Sequence, residues 1–285
     1  MRVLVTGANG QLGSELVALY SARPDDAVLG VDLPDVDITS SDSVAAVFSS
    51  FSPDVVINCA AWTAVDAAEE NEAGALAVNG EGPRVLAQAC RDAGAWLVQI
   101  STDYVFSGDA TSPYAEGATP DPRSAYGRTK LVGEQAVVEE LPEAHYIVRT
   151  AWLYGHQGNN FVKTMLRLEK ERDTIDVVDD QVGQPTYAAD LATQIVALLD
   201  ARPPAGIFHG TNSGSVSWHG FTQEIFRLIG ADPARVIAVT SEQFVRPAPR
   251  PAYSVLGHQR WEVAGVPVMR AWQAAIADAI DRGFD

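Results

Sequence analysis

The chain has 285 residues, 47% apolar and 20% charged, the make-up of an ordinary globular protein with room for one large core or a core plus a smaller lobe. Its formal charge of −17 argues against a nucleic-acid partner, whose phosphates call for a basic face, but leaves room for a small anion in a locally positive pocket. No apolar run reaches the roughly 18 residues of a membrane span, so no membrane segment is expected. Arg2 leads straight into Val3-Leu4-Val5, without the pattern of a leader.

The first half alternates strands and helices. Val3-Leu4-Val5 reads as a buried strand, followed by a glycine-rich turn and a helix over 10–20. A strand over 27–31 ends at Asp32, a helix follows over 43–51, and Val55-Val56-Ile57 is a third strand. Cys59 closes that apolar run, and Cys90 falls in the next helix, 81–93. Two cysteines match neither a disulfide framework nor a zinc site, so both read as free core thiols in a reducing cytoplasm. A strand over 96–100, a helix over 125–139 and a strand over 146–148 complete this half. Apolar strands separated by helices mean a parallel sheet covered on both faces. The second half is less regular. It offers helices over 159–170, 188–199, 218–228 and 268–280, strands over 175–178 and 207–209, and an extended Pro-rich loop over 246–251. The fold class is therefore α/β: a Rossmann-like doubly wound parallel sheet with a small C-terminal substrate-binding lobe. Residues 1–150 form the dinucleotide-binding domain, 175–210 return to it, and 151–174 with 211–285 form mainly the lobe.

Gly7-x-x-Gly10-x-x-Gly13 follows the first strand and opens the first helix. A pyrophosphate needs a tight turn, backbone N–H groups and a helix N-terminus free of side chains. Gly7, Gly10, Gln11, Leu12 and Gly13 are thus candidates to hold a dinucleotide. A glycine loop alone is a weak signal, but Asp32 ends the second strand 19 residues after Gly13. A carboxylate there accepts from a ribose 2′-hydroxyl and repels a 2′-phosphate, which favours NADH over NADPH; the competing reading is a solvated strand end. Asp37 and Ile38 follow at a distance suited to adenine. Ala60, Ala61 and Thr63, small groups after the third strand, leave room for the cofactor to cross the sheet edge.

Tyr126 and Lys130 stand at i and i+4 of a helix, on one face. A neighbouring ammonium favours the phenolate, turning a poor acid–base group into a useful one. This spacing also arises by chance. Ser101-Thr102-Asp103-Tyr104, at the C-terminal end of another strand, raises its meaning, because a hydroxyl there can bond a reacting carbonyl beside the phenol. Only three lysines occur, Lys130, Lys163 and Lys170; genomic composition explains the scarcity.

The stretches TGANGQLG, NCAAWTAVDAAE, STDYVFSGD, YGRTKLVGE, RTAWLYG and DQVGQPTYAADLA resemble the extended short-chain dehydrogenases, and more narrowly the dTDP-4-dehydrorhamnose reductase family. That resemblance implies reduction of the C4 ketone of dTDP-4-dehydro-β-L-rhamnose by NADH or NADPH, giving dTDP-β-L-rhamnose. It implies Tyr126 as proton donor, Lys130 as the group that lowers its pKa and holds the nicotinamide ribose, and Thr102 as the carbonyl's partner. Asp103, Tyr104 and Trp152 would contact the dTDP-sugar, Trp152 having a core aromatic as its alternative reading. Gln184-Pro185-Thr186 reads equally as a substrate wall or a turn. Arg250-Pro251-Ala252-Tyr253-Ser254-Val255-Leu256 matches the family's R-P-x-x-S-x-L segment but departs from its usual residues at Tyr253 and Val255. Some members form homodimers with Mg²⁺, where Glu15 could take part, although no metal site is visible in the sequence. Dehydratases of the superfamily carry Asp-Glu after the catalytic Thr; here Tyr104 replaces the Glu. An epimerase, another 4-keto-sugar reductase and a non-catalytic regulatory subunit are the other readings.

Overall fold

Six strands carry the molecule: β1 (Arg2–Thr6), β2 (Ala27–Val31), β3 (Val55–Asn58), β4 (Trp96–Thr102), β5 (His145–Thr150) and β6 (Gly206–His209). In the computed structural model, which describes residues 1–284, they form one sheet in the order β2-β1-β3-β4-β5-β6, every pair parallel. The eight longer helices are α1 (Gln11–Ser21), α2 (Ser41–Phe51), α3 (Gly82–Ala93), α4 (Ala125–Glu140), α5 (Phe161–Glu171), α6 (Ala188–Ala201), α7 (Trp218–Leu228) and α8 (Trp272–Asp281).

The period-2 rule divides the strands between two cores. Val3, Val5, Val55, Ile57, Val98, Tyr146, Val148 and Phe208 face α1 and α6, meeting Leu12, Leu16, Leu191, Ile195 and Leu198. Leu4, Val56, Leu97 and Ile147 face α2, α3 and α4, meeting Val44, Phe48, Leu86, Cys90 and Val137. This is the doubly wound arrangement expected from the apolar runs. The chain leaves β1 towards β2 and then crosses back to β3. That reversal is the switch point outside which such sheets bind ligands.

A third core joins α5, α7 and α8 through Val162, Met165, Phe221, Ile225, Phe226, Trp272 and Ile276. Here two expectations need correction. Residues 175–178 do form a strand, but it pairs in parallel with Val236–Val239 and packs in this third core instead of entering the large sheet. The return to the sheet begins at α6 and β6. The last helix starts at Trp272, four residues later than expected, because the backbone before it is engaged with Ser213: Ser213 N–H donates to the Arg270 carbonyl and Trp272 N–H to that of Ser213. Short helices at Val65–Glu70 and Glu72–Leu76, continuing through a wide turn at Ala77–Glu81 into α3, have no counterpart among the elements expected from periodicity. The Pro-rich stretch forms neither helix nor strand and bends at Pro247 and Ala248, and Arg250 within it pairs with Asp66 of the first short helix at 2.9 Å. No helix among the described residues is long and apolar enough to cross a membrane.

Candidate active site

The C-terminal strand ends are fixed from below by a chain of buried amides. Thr6 Oγ1 donates to Asn58 Oδ1 at 2.6 Å, Asn58 Nδ2 to Gln99 Oε1 at 2.8 Å, and Gln99 Nε2 to the Ile100 carbonyl at 2.8 Å. Breaking one link would strand a buried polar group at about 1–3 kcal/mol, so β1, β3 and β4 are held in register at the edge where the loops diverge. Asn79 does similar work for the loop after β3, bonding both backbone groups of Trp62 and the Thr129 hydroxyl.

Over this edge runs a cleft of about 600 Å³, lined by the candidate cofactor, substrate and catalytic residues Gly7, Gly10, Gln11, Leu12, Gly13, Asp32, Asp37, Ile38, Ala60, Ala61, Thr63, Thr102, Asp103, Tyr104, Tyr126, Lys130 and Trp152. Sequence reasoning missed Cys59, Ile100, Thr150, Ala151 and Leu153, which line it too. Their common signal is position at the last residues of β3, β4 and β5 or just beyond. Cys59 packs against the core beneath the sheet edge and also forms a wall of the cleft, while Cys90 is buried; both are free. Gln184 is absent from the lining. Its amide bonds Thr211 and Leu256, so the 184–186 turn serves the lobe's own packing.

At one end the glycines are required by geometry. Gly7 has φ +65°, and a Cβ there would lie 2.6 Å from Ala60 N. A Cβ on Gly13 would lie 2.2 Å from the Gly7 carbonyl oxygen. Gly10 caps α1 without a side-chain bond, and the first turn holds no acid, so the amides at this terminus face the cleft free to meet an anion. Asp32 accepts from Asn9 N–H at 3.0 Å and Leu33 N–H at 2.9 Å, which anchors its carboxylate beside the loop. Asp37 accepts from both the N–H and hydroxyl of Thr39, holding its carboxyl below the usual range. These residues fit a dinucleotide: bare amides for the pyrophosphate, a fixed carboxylate for a ribose, small residues where the strand edge must be crossed.

At the other end Thr102, Asp103 and Lys130 are buried and Tyr126 is half-buried. Tyr126 and Lys130 lie on α4, whose N-cap Ser124 accepts from Gly127 N–H at 3.1 Å. Burial pushes the Tyr126 phenol up to about 12, against a downward pull from the Thr102 hydroxyl. Burial pushes the Lys130 ammonium down to about 8, and its Nζ donates to the Ile100 carbonyl at 2.6 Å. The downward influence of Lys130 on the phenol, expected from their spacing, is therefore not what sets the phenol here: Thr102 lowers it, while Asp103 raises it. Thr102 Oγ1 donates to Asp103 Oδ1 at 3.0 Å and accepts from Tyr104 N–H at 3.2 Å. Asp103 Oδ2 is buried with no hydrogen-bond partner among the described residues, and burial raises this carboxyl to about 6. The Tyr104 ring meets the Tyr126 ring edge-on, centroids 5.6 Å apart. Trp152, at φ +46°, stacks on Trp218 of α7 at 3.5 Å, so the cleft wall and the third core share an aromatic pair. Among the described residues, no three His, Cys, Asp or Glu side chains are grouped to hold a metal.

A parallel sheet with a glycine loop at its switch point, and a half-buried phenol beside a buried hydroxyl and ammonium where the cleft continues, defines an oxidoreductase of the Rossmann type. The family model described as the RmlD substrate binding domain matches residues 1–284, and the chain belongs to that family. Over 282 residues it is 54% identical to a dTDP-4-dehydrorhamnose reductase of Streptomyces griseus, covering 98% of this chain and 92% of the relative. It is 50% identical to a dTDP-4-keto-6-deoxy-D-glucose reductase of Streptomyces niveus, covering 98% and 96%. A crystal structure of dTDP-4-dehydrorhamnose reductase from Bacillus anthracis, in complex with NADP, superposes with a TM-score of 0.94 at 42% identity, covering 99% of each chain.

Proposed function

We infer that this chain reduces the C4 ketone of dTDP-4-dehydro-β-L-rhamnose to dTDP-β-L-rhamnose with NAD(P)H. The observation that carries the reading is the placement of Thr102, Tyr104, Tyr126 and Lys130 in one cleft with the Gly7–Gly13 loop. The bound cofactor supplies a hydride to the C4 carbon. The α1 terminus holds the pyrophosphate, Asp32 a ribose, and Asp37 and Ile38 the adenine, with Ala60, Ala61 and Thr63 lining the way to the sheet edge. Lys130 holds the second ribose from the strand side. Tyr126 Oη donates its proton to the oxygen that becomes the C4 hydroxyl, and a phenol kept protonated by burial is suited to that donation. Thr102 bonds the same oxygen and orients it. Asp103, Tyr104 and Trp152 hold the sugar nucleotide. The lobe, 151–174 with 211–284, brings its share of the substrate wall through Trp152 on Trp218; the last residue assigned to it, Asp285, lies outside the described residues.

Asp32 supports a preference for NADH, with NADPH the weaker cofactor. The position after Asp103 separates a reductase from a dehydratase, because Tyr104 cannot readily serve as the second carboxylate of water elimination. A second reading is reduction of a different dTDP-4-keto-6-deoxyhexose, favoured by the 50% identity to a relative with that other named substrate. The test is NADH oxidation with dTDP-4-dehydrorhamnose beside dTDP-4-dehydro-6-deoxyglucose, both made enzymatically. Faster turnover of the first supports the assignment, and faster turnover of the second transfers it to the other sugar. No turnover of either, with NAD⁺ retained in the purified protein, would mean an epimerase.

A further inference from the structure

Two of the motif stretches end in residues for which the reaction has no direct use. Glu134 closes YGRTKLVGE, and Arg149 opens RTAWLYG. They find each other. Arg149 donates from Nε to Glu134 Oε1 at 2.9 Å and from Nη2 to Oε2 at 2.6 Å, a two-pronged pair with both side chains under 5% exposed. Ser101 Oγ adds a third bond to Oε1 at 2.5 Å. The carboxylate thus ties α4 to β4 and β5. Ser101 and Arg149 are register partners, and each immediately precedes a threonine at a strand end, Thr102 and Thr150. Lys130 stands one turn before Glu134, its Nζ on the carbonyl of Ile100, the neighbour of Ser101.

A buried ion pair is a poor device for stability, since well-packed apolar residues often do as well or better. Its place behind the catalytic lysine suggests another use. We propose that Glu134, clamped by Arg149 and Ser101, is a positioning residue: it fixes the end of β4 whose Ile100 carbonyl receives the Lys130 ammonium. The groups facing Lys130 are Tyr126 and Glu134 from its own helix, the Cys59 thiol from the end of β3, and the Ile100 carbonyl from β4; Arg149 of β5 stands against Glu134. Burial drives the lysine towards its neutral form, and the Glu134 charge opposes that most strongly.

The scarcity of lysine makes the test direct. Lysine-selective NMR of the cofactor-free protein follows three side chains, with Lys163 and Lys170 as internal references. Wild-type Lys130 should titrate near pH 8. Glu134→Gln removes the anion and leaves Arg149, so the midpoint should fall by about one pH unit, with Lys163 and Lys170 unmoved. The double variant Glu134→Gln/Arg149→Met leaves no buried charge unpaired and should fall by less; it decides the matter if the single variant does not fold. The alkaline limb of kcat/KM should move with the NMR midpoint. A folded double variant whose Lys130 keeps the wild-type midpoint and whose alkaline limb stays in place would overturn the proposal. The NMR readout does not depend on the sugar, so failure of the proposed reaction and failure of the clamp remain distinguishable.

Discussion

The two ends of the cleft are built on opposite principles. At the glycine loop the working groups are backbone amides, and the side chains that matter are absent ones, at Gly7 and Gly13. At Tyr126 the working groups are side chains taken out of water, and burial shifts each against its charged form: the phenol up to about 12, the lysine down to about 8, the Asp103 carboxyl up to about 6. The first end binds by shape and tolerates solvent. The second stores electrostatic strain, as expected where chemistry needs groups poised near a change of protonation.

Tyr126→Phe separates the ends most sharply. It removes the proposed proton donor without touching the glycine loop. Turnover should fall by about 10²–10⁴-fold while NADH affinity, measured by calorimetry, stays within a few-fold. Lost NADH binding would show that the phenol holds the cleft together. The converse is Gly13→Ala, whose Cβ would sit 2.2 Å from a backbone oxygen that cannot swing away. Overpacking of this kind costs about 1–3 kcal/mol, so NADH should bind roughly ten- to a hundred-fold more weakly. The pH dependence set by Lys130 should stay where it was. A shift in that dependence would mean that the two ends are coupled through the sheet edge.

The ends also differ in how much the sequence alone reveals. The glycine loop, Asp32 and the Tyr126–Lys130 spacing are local patterns, each fixed by one turn or one helix face, and all of them reach the cleft. What no local pattern contains is the surroundings. Thr150, Ile100 and Cys59 line the cleft because three strands end side by side, and strand order appears only when the sheet is assembled. The sign of the Tyr126 shift is likewise a matter of depth: a cation four residues away suggests a lowered pKa, and burial reverses it. The lobe misleads for a related reason. Residues 175–178 have the apolar alternation of a sheet strand, but their partner, Val236–Val239, lies some 60 residues away. The start of α8 is displaced by a backbone pairing to Ser213 that hydrophobic periodicity cannot register.

Asp103 measures the strain of the buried end. Its folded-state pKa stands above the value of about 4 for an unfolded chain, so the stability it contributes is present at low pH and lost as pH rises through about 6. Asp103→Asn has no charge to bury and still offers Thr102 an acceptor. Its unfolding free energy, relative to wild type, should therefore grow by about 2 kcal/mol between pH 4 and pH 7. A difference flat across that range would mean that the carboxylate is solvated or paired at neutrality, and that this end is less strained than its burial indicates.

The smallest effect belongs to the open end, at Asp32. Its carboxylate accepts from the Asn9 and Leu33 amides, shaping the loop, and in the proposed binding mode it also places a negative charge where a 2′-phosphate would lie. Asp32→Ser disturbs both, so the loss of NADH affinity alone is uninformative. The ratio of NADPH to NADH affinity is the cleaner quantity, since a loosened loop weakens both cofactors alike and cancels. Losing one ribose hydrogen bond is worth about 0.5–1.5 kcal/mol, and a partly exposed charge adds little more in physiological salt. The ratio should therefore move towards NADPH by roughly three- to ten-fold. An unchanged ratio would leave Asp32 as a loop anchor only, and cofactor choice would then rest on residues that the pattern after β2 does not contain.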